Sequence, residues 1–459
     1  MSQEETDVTL DRFGYKQELR RVLPLSFLVF YGLAYLCPVT VYSTFGLVAQ
    51  QTHGMVALSY VLALIGMVFT AYAYMRMVRA YPIAGSAYSY VQRSINPHLG
   101  FLAGWAILMD YMLLPMINYM LAAIFIKPVL PSVPTWIWIV GLVATVTVVN
   151  YIGINLTAWA SNILIIIQMA FVAAFMIIAA CYLANGHGAG TVFDIKGIYN
   201  AAEITKMGWT PLFLGASVLV LSFLGFDGIT TVAEEAIDPE KNVGKAIMIT
   251  CLGAGFIFVV VAYLLQLAWP DGWLHFKTPD SGAWEIIVRV TTDWVGVFFT
   301  IIYVIGCFAS AMASSNSAAR LLFGMGRDGL LPKPFAKVHP KHKTPTFAII
   351  VMGIIGLTAL GPSLALAASL INFGALAGFT MVNLSVIAHY YQREKNVVGN
   401  TLSNLIVPLI GAVVCYMIWW NLSPASKCLG FTWLAIGIIM LAFKTRYYTE
   451  LPPEMKFDE

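Results

Sequence analysis

The stretch that decides how this chain folds is Ser222-Phe-Leu-Gly-Phe-Asp-Gly-Ile-Thr-Thr-Val-Ala-Glu-Glu235, SFLGFDGITTVAEE. It continues an apolar run, PLFLGASVLVL (211–221), that is ready to cross a membrane. Two glycines and an aspartate then arrive where hydrocarbon is expected. A carboxylate at the bilayer centre costs about 2.5–3.5 kcal/mol on insertion scales, so Asp227 needs a cavity or a partner. One reading makes it a ligand for a substrate ammonium or a proton. The other makes it a cap for a half-helix starting near Gly228, whose positive N-terminal end favours an anion.

The rest of the chain supplies the membrane. Of 459 residues, 59% are hydrophobic and only 11% charged, against about 25% charged in a soluble domain. Apolar runs near the ~20 residues needed to span a bilayer recur, predicting an all-α polytopic protein. Twelve spans are expected, at 23–49, 57–78, 99–126, 133–153, 159–184, 209–231, 246–269, 291–318, 346–361, 364–389, 402–421 and 428–446. An even number puts both termini on one side. The segments on that side hold 20 of the 26 Lys and Arg, the opposite segments 6. The positive-inside rule then places the termini in the cytoplasm. The polar first 22 residues show no cleavable signal. The segments between spans are too short for a catalytic or nucleotide-binding domain, and no phosphate loop occurs. Cys37, Cys181, Cys251, Cys307, Cys415 and Cys428 are scattered and suggest neither disulfides nor metal. His339 and His342 also lack ligand company. No cofactor and no nucleic-acid partner is expected.

Span 1 is interrupted as well. In LPLSFLVFYGLAYLCPVTVYSTFGLV (23–48), Pro38 sits mid-run beside Thr40, Ser43 and Thr44. Proline removes an amide donor and clashes with the preceding turn. The bland reading is a proline kink in span 1 and a glycine contact at Gly225 and Gly228 in span 6. Interrupted helices at matching places in two halves, however, point to a substrate site between inverted repeats, because irregular backbone survives in a bilayer only where protein or water satisfies it.

Other polar positions divide between site and scaffold. Asp110 and Tyr111 in span 3 could face the cavity, Tyr111 laying its ring on an ammonium, or could bond a neighbouring helix. Asn118, two turns on, shares that face. Phe223 and Phe226 flank Gly225 as a thin gate or as core packing. Glu234 and Glu235 suit an inner gate with Arg or Lys. In span 8, Ala309, Ser310, Ala313, Ser314 and Ser315 read as close helix packing, with Asn316 adding a polar contact. In span 10, Asn372, Gly374, Ala375 and Gly378 suggest a flexible helix lining the path. The basic run Arg320–Lys343 reads as a topology signal that meets lipid headgroups.

YPIAGSAYSYVQRSINPHLGFLAGW (81–105), GFDGITTVAEEAIDPEKNVGKAI (225–247) and SSNSAARLLFGMGRDGLLPKPFAKVHPKHKTP (314–345) together resemble the signatures of the amino acid–polyamine–organocation permeases, over nearly the whole chain. GLAYLCPVTVYSTFG (32–46), LMDYMLLPMIN (108–118) and INFGALAGFTMVNLSV (371–386) are similar to bacterial putrescine importers. The resemblance implies a leucine-transporter-like five-plus-five inverted repeat over 23–390, with broken helices 1 and 6, an N-terminal tail over 1–22, and helices 11–12 with a tail over 391–459. Ordinary amino acid permeases place Gly-x-Gly at the first break to receive a carboxylate. Here Pro38 and Thr40 stand in its place, which favours an amine. The importers' Phe-Asp-Thr-Phe-Gly is replaced by Tyr42-Ser43-Thr44-Phe45-Gly46, leaving Asp227 and Asp110 as the central carboxylates. Span 5 lacks the lysine of proton-coupled members; Asn162 and Gln168 are its most polar side chains.

The resemblance implies a secondary transporter importing a putrescine-like diamine or related amine by proton symport with alternating access. The alternative is a permease for neutral or cationic amino acids, as symporter or exchanger. Substrate contacts are expected from Asp227, Asp110, Tyr111, Gly225, Phe226, Phe223, Tyr42, Thr40, Ser43, Pro38 and Asn118. Glu234, Glu235, Asn162 and Asn316 are coupling or gate candidates. The setting is the bacterial inner membrane, among lipids, as a monomer or homodimer. A sensor lacks an output domain in this sequence. An intramembrane protease is disfavoured because GxGD and HExxH are absent.

Overall fold

Backbone in hydrocarbon must bond to itself, which leaves helices as the economical solution for a single apolar chain. The computed structural model describes residues 21–83, 85–152, 154–327, 329–340, 344–393 and 400–449, without the side chains of 154–162 and 392–393. Among them are α1 (Leu25–Leu36), α2 (Thr40–Thr52), α3 (Val56–Ala80), α4 (Ala87–Ser94), α5 (Pro97–Ile126), α6 (Thr135–Ile152), α7 (Ile154–Ala184) and α8 (Ala201–Met207). There follow α9 (Thr210–Leu219), α10 (Pro239–Ala268), α11 (Gly282–Val290), α12 (Asp293–Arg327), α13 (Thr346–Gly356), α14 (Leu364–Val386), α15 (Val407–Trp420) and α16 (Pro424–Lys444). The described residues form no strand, only a lone parallel bridge between Leu23 and Ala236.

Among the described residues, eleven helical segments are long and apolar enough to cross a membrane. The expected ninth span is a shorter apolar helix, Thr346–Leu360, in which α13 ends in a 3-10 turn. Span 8 was expected to stop at 318, but α12 continues to Arg327. Its last two turns therefore carry Arg320 and Arg327, seven residues apart and on one face.

The helices sort into an inside and an outside. Interior burial is 83% for the apolar windows of Pro97–Ile126 and Thr210–Glu235, and 72% for Leu25–Thr52. It is only 22% for Thr135–Ile152 and Pro424–Lys444. Spans 1, 3 and 6 thus form the centre, and α6 and α16 present apolar sides to lipid. Leu23, Glu235, Arg327 and Lys444 gather at one end of the bundle, called here the near end. Thr52, Trp209 and Asn421 mark the far end.

Both expected interruptions are present. Span 1 is broken at Cys37–Val39, between α1 and α2. Pro38 supplies no amide there, and Cys37 turns the chain at φ 55°, a left-handed value uncommon for a side-chain-bearing residue. Span 6 is α9, a 3-10 turn at Val220–Phe223, a break at Leu224–Phe226, and a 3-10 segment over Asp227–Glu235. Gly225 has φ 126°, and a Cβ there would lie 2.3 Å from the Tyr35 ring. Conformation and contact therefore both demand glycine.

Candidate substrate site

The two breaks lie against each other through Tyr35, whose ring covers Gly225 and Gly228. The carbonyls released in span 1 are occupied. Ser310 Oγ of α12 donates to the Tyr35 carbonyl (2.6 Å), and Thr40 Oγ1 donates to that of Leu36 (3.1 Å). Ser43 Oγ donates to the Thr40 carbonyl (2.7 Å). The Thr40 amide is taken by Cys37 O (2.8 Å). Asn118 Nδ2 donates to Leu114 O (2.9 Å) and to Ser310 Oγ (3.0 Å). Around this seam lies a cavity of about 10 Å³ lined by Tyr35, Thr40, Asn118 and Ser310 among others, space for about one water.

Asp227 opens the second half of span 6 and is fully buried. Its Oδ1 accepts from the Gly225 amide (3.2 Å) and its Oδ2 from the Tyr111 hydroxyl (2.6 Å). The Asp227 backbone anchors the turn that follows, since Thr230 Oγ1 donates to its carbonyl (2.6 Å). The Tyr111 hydroxyl also lies 3.2 Å from Ser86 Oγ, which donates onward to Tyr74 (3.5 Å). Asp110, one residue before Tyr111, is equally buried, and neither of its carboxyl oxygens has a hydrogen-bond partner. Its carboxyl group lies within electrostatic reach of Asp227. The Tyr35 hydroxyl, also unpartnered, stands within electrostatic reach of both acids. Among the described residues no Lys, Arg or His forms an ion pair with either aspartate.

One Asp227 oxygen ties down the break through the Gly225 amide, and the other is held by the Tyr111 phenol. Seen from the two aspartates, the aromatic candidates divide. Phe226 packs on Tyr74 and Phe379 (centroids 6.0 and 5.4 Å) beside the network. Phe223 packs on Tyr60 and Phe258 (6.3 and 5.5 Å). Tyr42 points away from the seam, into Phe171, Phe175 and Phe299 (6.2, 5.5 and 5.1 Å). Pro38 is buried at the break itself.

The acids at the near end are already paired. Glu235 meets Arg320, and Glu234 Oε1 lies 3.5 Å from Arg327 Nη2. Asn316 Oδ1 accepts from Arg320 Nε (3.4 Å). The Glu235 carbonyl receives the amides of Val22 and Leu23 (2.9 and 3.0 Å), and Ile237 N donates back to Leu23 O (2.9 Å). Tyr31, Thr231 and Ser317 add a second layer, with Ser317 Oγ 2.7 Å from the Tyr31 hydroxyl and 3.1 Å from Thr231 Oγ1. Together they seal span 1, span 6 and α12. The Asn162 side chain and His342 lie outside the described residues.

Sequence reading missed Tyr35, Ser86, Tyr74 and the polar role of span 8. Ser310 and Ser317 do more than permit close packing, because they satisfy backbone and hydroxyls of span 1. Their signal was proximity to two breaks, which only the fold supplies.

Two interrupted helices meet beside buried carboxylates in this bundle of apolar helices, and sequence comparison supplies the family. The family model for amino acid permeases matches residues 28–446, and the chain belongs to that family. It is 41% identical over 443 residues to the low-affinity putrescine importer PlaP of Escherichia coli, covering 95% of this chain and 96% of that one. It is 24% identical over 463 residues to the branched-chain amino acid permease BcaP of Bacillus subtilis, covering 95% of each. It is 25% identical over 470 residues to the methylthioribose transporter of the same organism, covering 96% and 97%.

Proposed function

We propose that this permease imports a small organic diamine of the putrescine type, with proton symport, through the plasma membrane by alternating access. The observation that carries the proposal is the pair of buried aspartates with no basic partner among the described residues. Isolated buried carboxylates are costly, and two of them within electrostatic reach of each other match a molecule with two ammonium groups. Asp227 receives one ammonium, with Tyr111 holding its carboxylate in place. Asp110 and the Tyr35 hydroxyl receive the other. Gly225, Thr40, Ser43, Pro38 and Asn118 shape the seam, and Phe226 covers it.

The amino acid alternative needs free amides at the first break for a carboxylate. Pro38 has none, and the Thr40 amide is bonded to Cys37. The identity with the putrescine importer points the same way. The near end faces the cytoplasm on the positive-inside count, with Glu234 and Glu235 as the inner gate. Spans 1–5 and 6–10 form the two inverted repeats, supported by one break in the first span of each.

The test is uptake of radiolabelled putrescine into proteoliposomes under an imposed pH gradient. Gradient-dependent uptake by the wild type, lost in Asp227→Asn, is the expected result. Uptake of branched-chain amino acids but not putrescine would overturn the substrate class.

A further inference from the structure

Span 7 carries an apolar face of which only part is open. Ile249, Leu252, Phe256, Val260, Tyr263 and Leu267 recur every three or four residues of α10, the spacing of one helix face. Ile249, Leu252 and Phe256 are exposed on the flank of the bundle. The far part of the same face is covered by the chain that leaves span 5. Ala189 N donates to Leu267 O (2.9 Å). Gly197 lies so close that a Cβ there would sit 2.5 Å from the Tyr263 ring and 3.0 Å from the Leu267 side chain. Residues 189–197 thus run down the lipid-facing side of span 7, from its last turn to Tyr263. Tyr263 is five residues before α10 ends, about 7.5 Å at 1.5 Å per residue.

Irregular backbone at that depth must be satisfied by protein, and here much of it is. The Tyr263 hydroxyl donates to Val192 O (2.8 Å) and accepts from Asp194 N (3.0 Å). Thr191 Oγ1 accepts from Phe193 N (3.2 Å), and Asp194 Oδ1 accepts from Lys196 N (2.9 Å). Gly197 N donates to Asp194 O (3.1 Å). Val192 packs against the core, while its neighbours turn outward. Phe193 is 91% exposed and Ile195 67%, as open as Phe256 at 66% on the lipid-facing stripe. Lys196 follows, also exposed, with a stem long enough to carry its ammonium towards headgroups.

We propose that residues 191–197 are an interfacial anchor for the phospholipid leaflet at the far end, in which Phe193 and Ile195 insert between headgroups and acyl chains. The occupant follows from continuity: the tip extends the same flank of span 7 that Ile249, Leu252 and Phe256 present to lipid. Its depth, just inside the end of a span, is that of the polar–apolar boundary. Trp269 caps α10 there, as aromatic rings do at membrane interfaces. An apolar tip with a neighbouring cation is the side-chain set that binds at such a boundary. From the anchor the chain runs into α8, where Glu203 Oε2 lies 2.6 Å from Nδ1 of His53 at the end of α2. The leaflet is thereby tied to the far end of span 1. The anchor holds whichever cargo the permease carries.

Nitroxide labels test this on the full chain in nanodiscs of phosphatidylethanolamine and phosphatidylglycerol. The exposed Cys181 and Cys428 are first removed as Cys181→Ser and Cys428→Ser. Labels are then attached singly at Phe193→Cys, Ile195→Cys, Phe256→Cys and Asp271→Cys, all at exposed positions. Collision with oxygen, which enters the bilayer, is compared with collision with a nickel chelate, which stays in water. Phe256→Cys on the open flank and Asp271→Cys beyond the end of α10 set the two limits. The labels at 193 and 195 should favour oxygen several-fold over the label at 271, approaching the label at 256. Labels at 193 and 195 that favour nickel as the one at 271 does place the tip in water and overturn the anchor. Labels there that neither reagent reaches place the tip against protein, such as a second copy of the chain, and overturn it equally.

Discussion

Among the described residues four side-chain carboxylates are buried, and they fall into two unlike pairs. Glu234 and Glu235 at the near end each meet an arginine of α12. Asp227 meets an amide and a phenol, Asp110 has no hydrogen-bond partner, and neither forms an ion pair among the described residues. Composition and burial are alike in both pairs; only the partners differ. The near-end pair closes on the protein's own charges. On the proposed function, the central pair is the one completed by the cargo.

That contrast breaks most visibly under the same isosteric change made at each end. Glu235→Gln strands Arg320, which is only 10% exposed, and removing one partner of a buried pair costs about 3–5 kcal/mol. The melting temperature should fall clearly, and Glu235→Gln combined with Arg320→Gln should recover much of the loss. Asp110→Asn breaks no ion pair, so the ligand-free protein should melt no lower than the wild type. If both variants lost stability equally, the two pairs would be equivalent and the distinction would fail.

Selectivity sharpens the contrast next. Asp110→Asn should weaken diamine binding by about tenfold or more, as expected for losing an ion-pair partner worth at least ~1.4 kcal/mol. Butylamine, with a single ammonium, should bind nearly as before. Comparing the two ligands on the same preparation separates a second ammonium partner from general damage. Tyr111→Phe removes the hydroxyl that orients Asp227. Hydrogen bonds to charged groups contribute about 1.5–3 kcal/mol, so diamine affinity should drop roughly tenfold while fold and melting temperature are kept.

The smallest effect belongs to a pair at the surface. Glu203 on α8 is held below its ordinary 4.5, first by the hydrogen bond from Lys206 and then by that from His53. A depressed carboxyl contributes stability above the unfolded value and loses it as pH falls through the folded one. Local hydrogen exchange around α8 should therefore be unaffected above about pH 5 and faster below pH 4. Glu203→Gln should abolish that dependence.

How far the sequence revealed this varied with the physics of each element. Pro38 and the Gly225-Phe226-Asp227 run announced their breaks, because a missing amide and a charge in hydrocarbon leave few structural options. Asp227 stood out for the same reason, but its hydrogen bond from the Tyr111 hydroxyl did not. Tyr42 and Phe223 were not, because a span apolar on all sides carries no periodicity to say which face an aromatic takes. Ser310 was hidden by its size, since a small residue suits close packing and hydrogen bonding equally. Arg320 and Arg327 read as loop charges, because a helix end rich in small and basic residues resembles the membrane boundary. Tyr35 gave no sign of its place over the breaks until both halves of the chain were in contact.

The central claim, that the midplane aspartates await a cation, is tested most directly by ligand-induced thermal stabilisation of the purified protein. Putrescine, butylamine, alanine and isoleucine would be compared on the wild type and on Asp227→Asn. A ligand that binds only the folded state raises its melting temperature. Stabilisation by putrescine above butylamine, none by the amino acids, and none in Asp227→Asn is the predicted result. Stabilisation by isoleucine or alanine without putrescine, or putrescine stabilisation that survives Asp227→Asn, would contradict it.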